Sequence, residues 1–154
     1  ISVCTLRPES RGEVRINSAD PSQAPTIIPN YLSTEGDQKI AVESIKVARK
    51  IAKASPLKKY IIAEFVPGES YISDEQLLEA AKNNSQSIYH PVGTCKMGND
   101  DSSVVDDQLK VHGISGLRVV DASIMPELIS GNTNAPTMMI AEKAADMILD
   151  EKLI

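Results

Sequence analysis

Two histidines, His90 and His112, are the imidazoles of this sequence, and imidazole is the side chain best suited to exchanging a proton near neutral pH. His90 stands in the run Tyr89-His90-Pro91-Val92-Gly93-Thr94-Cys95-Lys96-Met97-Gly98. Pro91 and Gly93 interrupt regular structure there, so the ring is presented from a stiff irregular turn, a common posture for working groups. Such an imidazole could take a proton from an alcohol as a general base. The alternative is a partly buried ring that only satisfies backbone groups. His112, in Lys110-Val111-His112-Gly113-Ile114, reads as a surface or turn residue. Thiolate and imidazole suit zinc, but His90 and Cys95 lack a usual ligand spacing and no fourth ligand accompanies them and His112, so no metal site is expected.

Two further runs could face a ligand. Ser130-Gly131-Asn132-Thr133-Asn134-Ala135-Pro136-Thr137 precedes an apolar-periodic stretch. Asn and Thr ahead of Pro136 are helix-capping chemistry, with the proline near the first helical position. The unpaired N–H groups of that helix start could equally face an electron-rich ligand atom. Leu117-Arg118-Val119-Val120-Asp121-Ala122-Ser123 places a carboxylate at the end of an apolar segment, where open α/β sheets meet their ligands. A turn carboxylate that accepts backbone hydrogen bonds is the other reading.

The elements that must hold these residues follow from periodicity. Residues 2–7 and 12–17 read as extended, with Val14 and Ile16 alternating against polar neighbours. Pro21, Pro25 and Pro29 then predict an irregular extended connection over 20–30. Ile40, Ala41, Ile45, Ala48, Ile51 and Ala52 recur at helical spacing, which predicts a helix over 35–54 stopped by Pro56. An apolar segment, 58–66, ends at Pro67-Gly68. Ser73 and Gln76 have the spacing of a capping box, which predicts a helix over about 74–83. Residues 84–116 are irregular and 117–120 a buried strand. The last helix spans about 136–150, with Met139, Ile140, Ala144 and Ile148 as one stripe. No alternation of βαβ units is present, so the expected class is α+β. No Gly-x-Gly-x-x-Gly occurs, so any dinucleotide phosphate grip lies elsewhere.

Composition narrows the functions. The 154 residues are 42% apolar and 24% charged, as in a folded globular chain. A net charge of −5, four Tyr, one Phe and no Trp argue against nucleic acid as a partner, which needs cationic surface and stacking platforms. No apolar run is long enough to span a bilayer. Cys4 and Cys95, far apart in sequence, read as reduced thiols in a cytoplasmic setting. The first residues show no signal-peptide pattern and do not begin with Met, so the chain is expected to start partway through a larger protein.

Taken in order, these runs resemble the C-terminal part of the glucose–methanol–choline (GMC) family of FAD-dependent alcohol oxidoreductases, closest to its choline-dehydrogenase-like branch. The residues that carry the resemblance are Arg7-Pro8-Glu9-Ser10-Arg11-Gly12, Asp20-Pro21, Pro29-Asn30-Tyr31-Leu32, the His90 and Asp121 runs, residues 130–137, and Ile140-Ala141-Glu142-Lys143-Ala144-Ala145-Asp146. The resemblance implies an antiparallel sheet with flanking helices in residues 1–88, of the family's substrate-domain type. It also implies a C-terminal strand and helix that would complete an FAD domain, whose Gly-rich N-terminal portion is absent here. His90 matches the catalytic base, which takes the hydroxyl proton while hydride passes from the alcohol carbon to flavin N5. Asn132 matches the position that hydrogen-bonds the substrate oxygen, His in glucose-oxidase-like members and Asn in choline-oxidising ones. Tyr89, Asp121, Ala122, Thr133 and Asn134 match cofactor contacts. The resemblance implies FAD, a small-molecule alcohol such as choline, and oxygen or a quinone as electron acceptor, in a cytoplasmic or inner-membrane-peripheral setting. The fragment alone is expected to be inactive, with exposed apolar surface on its last strand and helix or a homodimer covering it. A non-redox lyase that retains FAD and a non-catalytic interaction domain are the alternatives.

Overall fold

The helical period over 35–54 is realised as α1 (Glu35–Ala52) in a computed structural model, which describes residues 1–151. Thr34 caps α1, its hydroxyl oxygen accepting the Asp37 N–H at 3.2 Å. Glu35 and Asp37 lie in the first turn and Arg49 and Lys50 in the last, the arrangement the helix dipole favours. Pro56 does more than end α1: it sits inside a short helix, α2 (Ser55–Lys58), in the first turn, where its missing N–H costs nothing. The capping box forms as its spacing predicts and opens α3 (Asp74–Asn84). Ser73 Oγ accepts the Gln76 N–H at 3.3 Å, and Gln76 Oε1 accepts the Ser73 N–H at 3.0 Å.

α1 packs on α3 and buries Val42, Leu77, Ala80 and Ala81. The predicted apolar stripe of α1 is therefore partly wrong. Ile40 and Ile51 are 43% and 45% exposed, because α3 covers the face centred on Val42 instead. Asp37, 2% exposed, accepts the Glu9 N–H at 2.9 Å and the Ser10 N–H at 2.8 Å. Burial pushes its pKa up, but the hydrogen bonds from Ser10, Glu9 and Thr34 outweigh it and hold the carboxyl below its ordinary value. This anchor leads into β1 (Glu13–Arg15), antiparallel to β2 (Thr26–Ile28) with Val14 opposite Ile27. Gly12 lets the chain pass close by, since a Cβ there would collide with the Ile28 and Pro29 carbonyls.

Two expectations fail in this region. Residues 2–7 form no strand, and β2 falls inside the stretch expected to be irregular. Pro25 and Pro29 bracket residues 26–28 without occupying them, so those N–H groups stay free to pair.

The chain divides into two compact units, Ile1–Ser87 and the residues from Ile88 onward. In the second, Val105, Leu109, Ile124, Met125, Ile140 and Ala144 form the core. Isolated bridges, Met97 to Val105, Val105 to Val111 and Lys110 to Arg118, take the place of a sheet. The strand expected at 117–120 is thus reduced to one bridge at Arg118. Leu117 is 48% exposed, while Val119 and Val120 pack on the core. The last helix, α4 (Asn134–Glu151), begins before Pro136, which lies in its first turn. Of its expected stripe Ile140 and Ala144 are buried, whereas Met139 is 59% exposed. At its far end the Glu151 carboxylate meets Arg118 at 2.7 Å and Lys110 at 2.5 Å, and hydrogen bonds from Arg118 and Lys110 lower its pKa to about 2. A small antiparallel sheet with helices is an α+β arrangement, as expected. No helix of the described residues is long and apolar enough to cross a membrane.

Candidate active site

The His90, Asp121 and Asn132 runs are fastened to one apolar core in the second unit. Val92 and Met97 from the first run, Val119, Val120 and Ala122 from the second, and Ile129 just before the third pack against it. Backbone hydrogen bonds tie the first run to the second: the Cys95 N–H donates to Ser123 O at 3.0 Å and the Met97 N–H to Ile124 O at 2.8 Å. Gly93 makes the turn between His90 and these bonds with φ +91°, and a Cβ there would lie 3.4 Å from Met125 O. Positive φ is open to glycine at little cost. The carbonyls of Ser123 and Ile124 were not singled out in the sequence, because a backbone acceptor has no side-chain signal.

His90 is half-buried, and its Nδ1 is buried with no hydrogen-bond partner among the described residues. Tyr89 precedes it with φ +62° and is 81% exposed. A bulky residue in the left-handed region is uncommon, and such strained positions gather at functional sites.

Asn132 and Asn134 are exposed, and Thr133 between them is 8% exposed. Thr133 O accepts the Thr137 N–H at 3.0 Å and its hydroxyl at 2.7 Å, closing the first turn of α4. Asp121 heads the 3-10 turn Ala122–Ile124, with Oδ1 accepting the Ser123 N–H at 2.7 Å. The turn reading of this carboxylate is thereby realised, on a side chain that remains exposed. Ala122 is half-buried against the core. His112 Nε2–H donates to Gly98 O at 3.0 Å, a structural role. Among the described residues no three His, Cys, Asp or Glu side chains gather in a way that could hold a metal ion.

Residues 8–141 match the family model described as GMC oxidoreductase, and the chain belongs to that family. It is 48% identical over 149 residues to an alcohol dehydrogenase (acceptor) of Pseudomonas putida, covering 97% of this chain and 27% of that protein. With an oxygen-dependent choline dehydrogenase of Escherichia coli the identity is 49% over 152 residues, covering 99% and 27%. Among solved structures, pyridoxine 4-oxidase from Mesorbium loti superposes with a TM-score of 0.87 at 34% identity, over 92% of this chain and 28% of that one. An FAD-dependent oxidoreductase from Chaetomium thermophilum gives 0.90 at 31%, over 97% and 26%. The chain therefore spans about a quarter of the length of the curated relatives it matches.

Proposed function

We propose that this chain is the C-terminal, substrate-facing part of an FAD-dependent oxidoreductase that oxidises a primary alcohol to an aldehyde. The observation that carries the reading is that one core is packed by Val92 and Met97 of the His90 run and by Ile129 and Ile140 on either side of Asn132, so the same core supports the chain around both candidate groups. Their chemistry is complementary. With Nδ1 buried, Nε2 is the nitrogen left to take the hydroxyl proton. The Asn132 amide would donate to the substrate oxygen as negative charge develops there.

The residues present fit one end of FAD. Thr133 and the Asn134 amide stand at a helix start whose free N–H groups favour electron-rich atoms, with Tyr89, Asp121 and Ala122 as the remaining contacts. The bound flavin would supply the two-electron acceptor for the hydride of the alcohol carbon. Nothing in the sequence offers a Gly-rich grip for the cofactor's phosphates, so that grip belongs to a portion outside this chain. The half-exposed Leu117 and exposed Met138, Met139 and Leu149 support a role for α4 and residues 117–120 in completing an FAD domain with that portion. Alcohol and choline as the substrates named for the relatives support a CH–OH donor, with oxygen or a quinone receiving the electrons.

The test is His90→Ala in the full-length protein. Alcohol turnover should fall by about 10²–10⁴-fold, while the visible spectrum shows FAD still bound. Turnover unchanged with FAD bound would remove the role assigned to His90.

A further inference from the structure

The last turn of α4 contains no basic residue and carries Asp150 and Glu151. Carboxylates at a helix C-terminus oppose its dipole, so their neutralisation has to come from another element. Lys110 and Arg118 supply it. The two stand opposite one another in an antiparallel bridge, which brings their side chains to one side of the backbone. Both reach the Glu151 carboxylate, Lys110 Nζ at 2.5 Å and Arg118 Nη2 at 2.7 Å. Arg118 is the better anchored of the pair: its side chain is 17% exposed, and Nε donates to Gln108 O at 3.1 Å. It also stands three residues before Asp121, so one arginine adjoins both segments that carry candidate cofactor contacts.

The middle of α4 is held by apolar contact. Ile140 and Ala144 are buried in the core, and the helix packs on the turn Ala122–Ile124. Apolar packing is non-directional; it keeps the helix on the core and leaves its angle open. At the helix start, Thr133 O spends its hydrogen bonds on Thr137, inside α4. Asn134 and Glu151 lie on opposite sides of the Ile140 and Ala144 contact, each about 12 Å from its centre along the axis. A stiff helix held in the middle transmits a shift of one end to the other at similar size. A cavity of about 570 Å³ beside the ion group, lined by Lys110, Arg118, Glu151 and the turn over 113–117, leaves room for such a shift.

We propose that Arg118 and Glu151 are positioning residues: their ion pair, joined by Lys110, sets the angle of α4 and through it the place of Asn132 and Asn134 at the far end. The proposal rests on the reading of that helix start as the side that meets flavin and substrate oxygen. Reaction geometry is sensitive on this scale, since a misplacement of about 1 Å is enough to cost rate.

Equilibrium FAD binding and steady-state kinetics of the full-length protein test it. Arg118→Gln should weaken FAD binding roughly fivefold and lower kcat roughly tenfold, with KM for the alcohol little changed. Glu151→Gln, at an exposed helix end, should do the same, and the two together should lose no more than either alone. Arg118→Lys, which keeps the ion pair, should restore most of both quantities. A pair that only stabilises the fold would lower the unfolding temperature and leave FAD affinity and kcat of the folded protein unchanged, and that result would overturn the proposal. So would single losses that multiply in the double variant. A parent protein that binds no FAD would remove the underlying reading, and this proposal with it.

Discussion

Turning an alcohol into a carbonyl sets two tasks for individual side chains: a proton must leave the oxygen, and charge must be tolerated there while it leaves. In the proposed reaction His90 takes the first task and Asn132 the second. Asn132→Ala should then lower kcat by about 10²–10³-fold, whereas Asn132→His, which restores a donor, should keep most of the activity. Steady-state kinetics of the two variants in the full-length protein decide this, and equal losses would show that the amide's donor is not what matters. Asp37 makes a prediction about stability. Its folded pKa lies below the ordinary value, so its contribution is complete above the unfolded pKa of about 3.9 and disappears as pH falls through the folded value. Asp37→Asn should cost about 1–3 kcal/mol at neutral pH and progressively less below about pH 4. Urea unfolding followed by circular dichroism at the two pH values measures the difference.

At the scale of elements, what could be read from the sequence was what depends on neighbours along the chain. The Ser73 and Gln76 capping box, the 3.6-residue period of α1 and the apolar rows of α4 are local, and each helix appeared where its pattern placed it. Features set by distant partners were not legible. Pairing of β2 with β1 joins residues eleven to fifteen apart, and the prolines around 26–28 suggested irregularity. The face of α1 that is buried was chosen by α3 rather than by the apolar pattern. The candidate site divides in the same way. His90 and Asn132 stood out by residue type and by their neighbours, but the left-handed Tyr89 and the carbonyl clamps at Ser123 and Ile124 have no sequence signal. Arg49 supplies the prediction here. Arg49→Lys loses the two-pronged contact with Glu64 and cannot reach both the Gly68 and Tyr71 carbonyls, so amide hydrogen exchange over residues 64–71 should accelerate while α3 keeps its protection. Unchanged exchange would mean that the guanidinium does not hold the segment.

For the whole molecule, the decisive quantity is surface. Apolar side chains stand open on the outer face of α1 at Ile40, Val47 and Ile51, and along α4 at Met138, Met139 and Leu149. Apolar surface on this scale marks interaction sites, and the chain spans about a quarter of its relatives. The isolated 154-residue chain should accordingly self-associate as its concentration rises, seen by analytical ultracentrifugation, and the full-length protein should not do so through these faces. A chain that stays monomeric and binds no hydrophobic dye would show that these faces need no cover. The central claim, that His90 receives the proton as the alcohol is oxidised, is tested most directly by anaerobic rapid mixing of alcohol with full-length His90→Ala, following flavin bleaching. The expected result is bound flavin that is reduced orders of magnitude more slowly than in the parent. Reduction at the parent's rate would contradict it.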